Sequence, residues 1–382
     1  MKIALVENFG SDFYGARLRY ALFLQKLGHE VIAIVPNDGY TEKIRNAGIN
    51  TIAIDIDIRE RSLSAMLKFG QKLGKIFRKE KFDVIHLYRM QPNIIGTSFA
   101  FFNSPKSKII NHITGLGVAF TKTSYKYKLV QKIVKFAYKF NSRVFNAQLI
   151  FQNIEDKLEL GNDEKFLVIK GSAVDEDRFK PSDIINTQTK NELMEKYHFS
   201  GTFTLIFVSR LLKQKGLDDL VNAVNDINKE ADKKINLMIV GWIDPSNPDS
   251  FSEEEITAFT KLPNVAYLGK RNDIDQLIAM ADAAVLPTFY REGTPRFLLE
   301  AMAMAKPILT TDMPGCNHLV KNKQNGVLVE PRNKEAIVEG LRFLLKADTK
   351  QLGVNSEKIY KTEFSEHVVY NNLLSSYKKT KK

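Results

Sequence analysis

The sequence predicts an α/β protein with two domains, each built on a doubly wound parallel sheet. Three observations lead to this fold class. The chain has 382 residues, and at roughly 100–200 residues per domain this length favours two domains. Short apolar strands alternate with helical patterns along the whole chain, as in parallel sheets covered by helices on both faces. The alternation pauses in a polar stretch at residues 181–190, predicted to be a linker, and then begins again.

The elements of the first half fit this class in order. A strand at residues 3–6 is followed by a loop that contains Gly10 and Gly15, then by a helix at 17–27 that ends at Gly28. An apolar run before a glycine and a glycine after a periodic run are the usual limits of such elements. Further strands are predicted at 30–36, 50–54, 84–87, 107–113, 147–152 and 166–170.

The second half repeats the pattern. Strands are predicted at 203–208, 235–240, 265–268, 283–287, 308–311 and 326–329, with a long polar loop after the second of them. Helices are predicted at 217–227, 274–280, 295–305, 334–345 and 366–377. The predicted domains are 1–182 and 183–364, with 365–382 a helix that returns to the first domain. Ligands of open α/β sheets bind at the carboxyl ends of the strands, so two such sheets predict a cleft there.

Charge and composition narrow the class of partner. The net charge of +12 is divided into +11 for residues 1–182 and +1 for residues 183–382. A basic half favours an anionic partner: nucleic acid, an anionic membrane or a phosphate-bearing substrate. The single cysteine, Cys316, excludes an internal disulfide and fits the cytoplasm. No apolar stretch is long enough to span a bilayer, and the amino terminus does not resemble a secretory signal.

The most informative stretch is Tyr-Arg-Glu-Gly-Thr-Pro-Arg-Phe-Leu-Leu-Glu at residues 290–300. It follows a buried strand and opens a helix, with Thr294 the expected N-cap and Pro295 the first helical residue. Free N–H groups of a first turn form an anion site, and Glu292 and Glu300 flank it. Two acids around a helix start are by themselves more often ordinary surface residues.

A second stretch at residues 207–216 adds the cations. Arg210 and Lys215 follow a strand end and precede Gly216. Arginine offers a two-pronged donor and lysine a movable charge, which together suit a diphosphate. Two cations in one loop are usually solvated surface, but their occurrence with the glutamate stretch favours a binding site.

These two stretches resemble family 4 of the retaining glycosyltransferases, which have the GT-B fold of two Rossmann-like domains. The two glutamates and the basic pair before Lys-Gly match the family pattern, and residues 286–300, 311–316 and 325–329 are similar to its bacterial capsule, O-antigen and glycan-assembly branch. That branch includes polyprenyl-diphospho-sugar N-acetylgalactosaminyltransferases. A weaker similarity at 32–43, 114–117, 151–156 and 168–179 extends over nearly the whole chain.

The resemblance implies roles for the matching residues. Arg210 and Lys215 would neutralise the donor diphosphate and, with Glu292, carry catalysis. Glu292 would bind hydroxyls of the donor sugar, and Glu300 would bind the ribose. The region around Arg271 would cover the base. The 183–364 domain would bind the nucleotide sugar and the 1–182 domain the acceptor.

Further contacts with the donor are implied for backbone and first-domain residues. The backbone of Gly293, Thr294 and Pro295 would contact sugar and phosphate. Gly15 would let the first loop approach the donor closely, and Arg17 would reach phosphate or acceptor.

A histidine near the reacting sugar is common in the family, and this chain departs from that pattern. His112 lies in the matching region, but Thr114 is closer to the expected place. His86 ends a predicted strand and is as well explained by a packed core position.

Metal and cofactor use are not expected. Paired acids occur at residues 55–57, 175–177 and 273–275. The first alternates along a strand edge and the last opens a helix, where acids interact favourably with the dipole. Arginine and lysine can supply the electrostatic role of a metal ion.

The basic first half contains an amphipathic helical pattern without acids between residues 119 and 154. Such helices favour an anionic membrane surface, although a solvated face over an ordinary core is the alternative. The basic stripe is Lys128, Lys132, Lys135 and Lys139, and the apolar stripe is Leu129, Ile133, Phe136 and Phe140. A second basic run occupies residues 68–81.

The predicted function is therefore transfer of a hexose or N-acetylhexosamine from a UDP-sugar, with retention, to a sugar hydroxyl of a polyprenyl-diphosphate-linked acceptor. The protein would act at the inner face of the bacterial cell membrane, as a peripheral protein. One alternative is a UDP-sugar epimerase of similar fold, which would interconvert UDP-sugars without an acceptor. The other is a basic nucleic-acid-binding protein, for which the sequence shows no helix-turn-helix, zinc or RNA-binding motif.

Overall fold

A computed structural model of the protein describes residues 1–56, 60, 62–121, 124–181, 187–197, 199, 202–230 and 234–378. Residues 182–186 of the predicted linker and Asp57 lie outside the described residues. The chain forms two compact units. The amino-terminal unit comprises Met1–Ala173, Arg291–Thr294 and Glu366–Lys382, and the carboxyl-terminal unit comprises Val174–Tyr290 and Pro295–Ser365. This division begins the second unit before the predicted boundary at residue 183.

The amino-terminal unit contains a parallel sheet of seven strands in the order β3-β2-β1-β4-β5-β6-β7. The strands are β1 Lys2–Val6, β2 Glu30–Pro36, β3 Asn50–Ile54, β4 Val84–Tyr88, β5 Lys108–Ile113, β6 Gln148–Phe151 and β7 Phe166–Val168. From β1 the strands are added toward one edge of the sheet up to β3, and from β4 they are added toward the other edge. The strands β1 and β4 are parallel neighbours. This is the switch point at which doubly wound folds bind ligands.

Helices α1 to α7 connect these strands, and a last helix completes the unit. They are α1 Gly10–Ala16, α2 Leu18–Lys26, α3 Thr41–Asn46, α4 Leu63–Glu80, α5 Thr97–Asn103, α6 Tyr125–Val144 and α7 Ile154–Leu160. The loop predicted around Gly10 and Gly15 is wrong, because both glycines lie in α1. Tertiary packing of Phe13, which is fully buried in this helix, overrides the low helix propensity of glycine.

Both faces of this sheet are covered, as the continuous apolar strands predict. In β1, Ile3 and Leu5 pack in a cluster with α2, while Ala4 and Val6 pack with α4 on the opposite face. The first cluster also contains Tyr370 and other side chains of the helix Glu366–Tyr377. That helix is thus part of the amino-terminal unit.

The carboxyl-terminal unit contains a parallel sheet of six strands in the order β10-β9-β8-β11-β12-β13. The strands are β8 Phe203–Arg210, β9 Ile235–Trp242, β10 Val265–Tyr267, β11 Ala283–Leu286, β12 Ile308–Thr311 and β13 Gly326–Val329. Its switch point lies between β8 and β11. The predicted fold class, two Rossmann-like α/β units, is confirmed.

The helices of this unit are α8 Thr187–Lys196, α9 Leu217–Glu230, α10 Glu253–Thr260, α11 Ile274–Met280, α12 Arg296–Ala303, α13 Lys334–Lys346 and α14 Thr349–Glu363; the helix Glu366–Tyr377 is α15. The long polar loop predicted after β9 contains α10, which a capping box of Ser252 and Glu255 starts. Thr294 is not the N-cap of α12, because Pro295 occupies that position. Proline has no N–H and fits the extended backbone there.

Candidate active site

The basic loop of the carboxyl-terminal unit follows β8 at the switch point of its sheet. Arg210 is the last residue of β8 and is exposed. A single 3₁₀ turn, Lys213–Lys215, then leads to Gly216, whose φ is +74°. A Cβ atom at Gly216 would clash with the carbonyl oxygen of Pro287, so the turn requires glycine both for its backbone and for this close approach.

The loops after β8 and β11 are hydrogen-bonded to each other. The carbonyl oxygen of Gln214 accepts from the Phe289 amide at 2.9 Å and from the Thr288 hydroxyl at 3.0 Å. These bonds fix the turn that carries Lys215, and the Lys215 ammonium lies 5.1 Å from the ring centre of Tyr290. Both cations lie between the start of this loop and α9, which is the strand–loop–helix order that the sequence predicts. Their binding of a diphosphate stays a prediction.

Glu300 lies in α12, where its carboxyl group is mostly enclosed. Burial raises the pKa of this group, and the Arg296 and Arg178 guanidinium groups act in the opposite direction. The Arg296 Nη2 atom lies 3.5 Å from Glu300. Arg178 in turn donates from Nε to Asp275 at 2.8 Å. Glu300 is therefore part of a charged network within its own unit, together with Arg296, Arg178 and Asp275.

The Arg271 side chain is restrained by an ion pair with Asp273. Its Nε and Nη2 atoms donate to the two carboxylate oxygens of Asp273 at 2.8 and 2.5 Å. Close by in sequence, the Lys270 ammonium lies 5.3 Å from the ring centre of Trp242. Trp242 ends β9 opposite Arg210 in register and is 43% exposed, and sequence reasoning assigned it no role. The signal in the sequence is that Trp242 is the single tryptophan of the chain and follows the predicted strand 235–240.

The segment Arg291–Thr294 belongs to the amino-terminal unit and is fixed there by a buried ion pair. The Arg291 Nε atom donates to Asp156 at 2.6 Å, with the Asp156 side chain fully buried and that of Arg291 12% exposed. Burial raises the pKa of Asp156, and Arg291 opposes this shift. The guanidinium also lies 3.4 Å from Glu159. Because this ion pair is buried, it fixes the backbone position of Arg291 and thereby of the next residue, Glu292.

Two further contacts place Glu292 and Gly293. The Asn153 side-chain amide donates to the carbonyl oxygens of Glu292 at 3.2 Å and Gly293 at 3.1 Å. A Cβ atom at Gly293 would clash with the carbonyl oxygen of Thr114, and one at Gly115 would lie 2.7 Å from the Gly293 nitrogen. The structure thus brings the predicted residues Thr114, Glu292 and Gly293 together, beyond the ends of β5 and β6.

The two histidines lie elsewhere, inside the sheet. His86 and His112 are fully buried, with His86 Nδ1 2.7 Å from the Tyr377 hydroxyl and Nε2 3.2 Å from His112 Nδ1. Burial lowers the pKa of both well below its usual range. Both imidazoles are therefore neutral at pH 7. Of the two positions considered for His86, at a strand end in the site or packed in the core, the structure shows the packed one.

Gly15 and Arg17 do not lie in a loop, although the sequence predicts a loop at Gly15 that approaches the donor. Gly15 is exposed near the end of α1, while Arg17 is buried at the junction of α1 and α2. The Arg17 guanidinium lies 4.2 Å from the ring centre of Tyr88. The predicted site residues are divided between the two units. The amino-terminal unit contains Gly15, Arg17, Glu292, Gly293 and Thr294, and the carboxyl-terminal unit contains Arg210, Lys215, Arg271, Pro295 and Glu300.

The described residues include no group of three or more His, Cys, Asp or Glu side chains arranged to hold a metal ion. Two of the acids in the predicted pairs are engaged by arginines instead, Asp273 by Arg271 and Asp275 by Arg178. Within the same described residues, no helix is long and apolar enough to cross a membrane.

Two known families match the chain, one in each half. The model described as "Glycosyl transferase 4-like" matches residues 2–153, and "Glycosyl transferases group 1" matches residues 189–360. A similar solved structure, the protein Alr3699/HepE of Anabaena in complex with UDP and glucose, has a TM-score of 0.78 at 18% identity over 98% of this chain and 99% of that one. This likeness concerns the fold alone.

Two relatives resemble the chain along most of its length. The N,N'-diacetylbacillosaminyl-diphospho-undecaprenol alpha-1,3-N-acetylgalactosaminyltransferase of Campylobacter jejuni is 26% identical over 99% of this chain and 98% of its own. The UDP-Gal:alpha-D-GlcNAc-diphosphoundecaprenol alpha-1,3-galactosyltransferase of Escherichia coli is 27% identical over 87% of each. The fold and these matches define the class: the chain is a glycosyltransferase with the GT-B fold. Its carboxyl-terminal part is similar to the glycosyl transferases of group 1 and its amino-terminal part to the glycosyl transferase 4-like family.

Proposed function

We propose that the protein moves a hexose or N-acetylhexosamine, with retention, from a UDP-sugar to a sugar hydroxyl of a polyprenyl-diphosphate-linked acceptor during synthesis of a bacterial surface glycan. The names of the two relatives support a diphospho-undecaprenol acceptor, and one of them supports a UDP-sugar donor. The observation that carries the proposal is the turn Lys213–Gly216, which holds Lys215 beyond β8 at the switch point of its sheet.

The proposed reaction breaks the bond between the anomeric carbon and the β-phosphate oxygen while the acceptor hydroxyl attacks the same face. The acceptor proton passes to the departing phosphate oxygen, so no enzymatic nucleophile is needed. Arg210 and Lys215 stabilise the charge that develops on the leaving diphosphate. Glu292 binds donor-sugar hydroxyls, Glu300 binds the ribose, and no metal ion takes part.

Donor binding should depend on the two cations. Arg210→Ala and Lys215→Ala are each expected to weaken binding of UDP by about 10- to 100-fold, because a charge-assisted hydrogen bond contributes roughly 1.5–3 kcal/mol. Isothermal titration calorimetry with UDP measures this. Lys350→Ala, which removes an exposed lysine of α14, is the matched control and should bind UDP normally. Wild-type affinity in both site variants would contradict the proposed donor site.

The membrane part of the proposal rests on α6. Its apolar stripe does not pack into the core, because the helix buries Val134, Tyr138, Asn141 and Ser142 instead. Phe136 is 69% exposed, and it stacks on Phe140 with ring centres 5.9 Å apart. The exposed apolar side chains of the helix are Tyr125, Leu129, Ile133, Phe136, Phe140 and Val144.

Lysines flank this stripe, and Lys128, Lys132 and Lys139 are exposed. An apolar face bordered by cations matches an anionic bilayer, into which the rings insert while the ammonium groups meet lipid headgroups. We therefore place the protein on the cytoplasmic face of the membrane, where a lipid-linked acceptor is accessible. No nucleic-acid partner is proposed, since exposed aromatic and aliphatic side chains dominate this surface.

Binding to vesicles tests this surface. The double variant Ile133→Ser/Phe136→Ser is expected to reduce association with vesicles of phosphatidylcholine and phosphatidylglycerol by at least about 10-fold, because each buried apolar side chain contributes roughly 1.5–3 kcal/mol. Flotation through a density gradient is the measurement. Val354→Ser removes an exposed apolar side chain of α14 and should leave flotation unchanged. Equal flotation on phosphatidylcholine alone would argue against an anionic membrane.

A further inference from the structure

A second polar cluster lies in the amino-terminal unit, at the switch point between β1 and β4. Glu7 directly follows β1 and Arg89 directly follows β4. The cluster is completed by Asp12 and Arg17 of the α1 region. Crevices at such a position are where doubly wound sheets bind ligands. None of Glu7, Asp12 and Arg89 has a role in the function proposed above.

The base of the cluster is a buried carboxylate. The Glu7 side chain is fully buried, with Oε1 3.3 Å from Arg89 Nε and accepting from the Asn8 amide at 3.1 Å. Oε2 lies 3.7 Å from Arg17 Nε, and neither atom has a hydrogen-bond partner within the described part of the chain. Buried ionisable groups with unused hydrogen-bonding capacity are costly for stability, and they concentrate at functional sites.

Arg89 is held in a strained backbone conformation. Its φ of +69° lies in the left-handed region, which a side chain such as arginine rarely adopts. The Arg89 amide donates to the His112 carbonyl at 3.2 Å, so the neighbouring strand holds the backbone in this form. The guanidinium reaches outward to pair with Asp12 and lies 5.0 Å from the ring centre of Phe9.

The outer part of the cluster has the chemistry of a sugar site. Arg89 is 39% exposed and Asp12 38% exposed, so the pair presents donors and acceptors side by side to solvent. Asp12 offsets the charge of Arg89, and above pH 7 the Glu7 carboxylate offsets that of Arg17, which favours a neutral polyol over a phosphate. The ring of Phe9, whose centre lies 5.0 Å from the Arg89 guanidinium, adds a partly exposed apolar surface beside the pair.

We propose that Arg89 and Asp12 bind hydroxyl groups of the acceptor saccharide, with Glu7 and Arg17 as positioning residues beneath them. This inference rests on the proposed function, because it assigns the acceptor half of that reaction. Adjacent hydroxyls of one ring donate to the Asp12 carboxylate and accept from the Arg89 guanidinium. The Phe9 ring borders the bound sugar, and the diphosphate and lipid extend away from this neutral pair.

Ligand-detected NMR tests the binding roles with three probes: decyl-diphosphate-linked N-acetylglucosamine, decyl diphosphate and inorganic phosphate. Arg89→Gln and Asp12→Asn are each expected to weaken binding of the sugar-bearing probe by about 10-fold or more, leaving decyl diphosphate unchanged. UDP affinity, measured in parallel, should change less than about twofold, since both changes lie outside the donor residues. Asp12 is partly exposed, so Asp12→Asn is expected to fold even if Arg89→Gln does not.

Two results would overturn the assignment: wild-type binding of the sugar-bearing probe by both variants, or equal loss of decyl diphosphate, which would make this a phosphate site. Failure of the unaltered protein to bind UDP would instead remove the proposed function itself. The two failures are therefore distinguishable in one set of measurements.

A pH profile tests the positioning role of Glu7. Burial raises its pKa to about 7, against the effect of Arg89 and Arg17 and with a small addition from Asp12. Among the described residues, the Tyr88 phenol also interacts with Glu7, and burial raises the pKa of this phenol. Below pH 7 the neutral carboxyl no longer holds Arg89, so the dissociation constant of the sugar-bearing probe rises as pH falls. Glu7→Gln should abolish this step, and an unchanged pH profile in that variant would contradict the positioning role.

Discussion

Replacing Glu292 by alanine is expected to lower kcat/KM for sugar transfer by about 10²–10³-fold, the range found when one transition-state hydrogen-bond partner is removed. The carboxylate is proposed to bind donor hydroxyls, and no other acid of the segment Arg291–Thr294 can replace it. The contacts that hold this segment use the Arg291 side chain and the carbonyl oxygens of residues 292 and 293, which the substitution leaves in place. The fold should therefore be unaffected.

The measurement is transfer of radiolabelled sugar from UDP-sugars to a lipid-linked acceptor, alongside the thermal unfolding midpoint. Glu339→Ala removes an exposed glutamate of α13 and should retain full activity. Glu292→Gln keeps the shape of the side chain but not its charge, and its transfer activity should lie between those of Glu292→Ala and Glu339→Ala. Turnover by Glu292→Ala within twofold of the unaltered protein would remove Glu292 from the mechanism. Rapid interconversion of UDP-sugars without acceptor would favour the epimerase alternative.

The fold was predictable because its signal is local. Buried parallel strands are continuous apolar runs, and β2, β3, β12 and β13 occur with the limits that these runs indicate. The errors arise where packing overrides local preference: α1 forms despite two glycines because Phe13 has a place in the core, and α10 forms within a polar stretch because its capping box satisfies the first-turn amides.

The candidate site was predictable only where it is continuous in sequence. Arg210 ends β8, and the turn that holds Lys215 and Gly216 follows within a few residues, so their proximity follows from spacing alone. The supports of Glu292 are distant: Asn153 and Asp156 lie more than 130 residues earlier, in a stretch whose similarity to the family gave no role. Glu7 and Arg89 are adjacent only because β1 and β4 are neighbours at the switch point. Such contacts depend on strand order, which a single sequence does not specify.

The ion pair between Arg291 and Asp156 predicts a large loss of stability. Asp156→Ala leaves the Arg291 guanidinium buried without its main partner, and breaking a buried pair in this way costs roughly 3–5 kcal/mol. The amino-terminal unit should therefore unfold at a markedly lower urea concentration. Arg342→Met breaks the 2.8 Å pair with Glu230, in which both side chains are more than half exposed, and should change stability by less than about 1 kcal/mol.

The double variant Asp156→Leu/Arg291→Met separates the stability of the unit from the position of Glu292. Replacing both charges by apolar side chains removes the desolvation cost as well as the attraction, so most of the stability lost in Asp156→Ala should return. Transfer should nevertheless remain at least about 10-fold below that of the unaltered protein, because catalytic groups tolerate little displacement. The guanidinium also lies 3.3 Å from the Glu155 carbonyl and 3.4 Å from Glu159, directional contacts that methionine does not make. A double variant that is stable and fully active would mean that Asn153 and the close approach of Gly293 to Thr114 suffice to place Glu292.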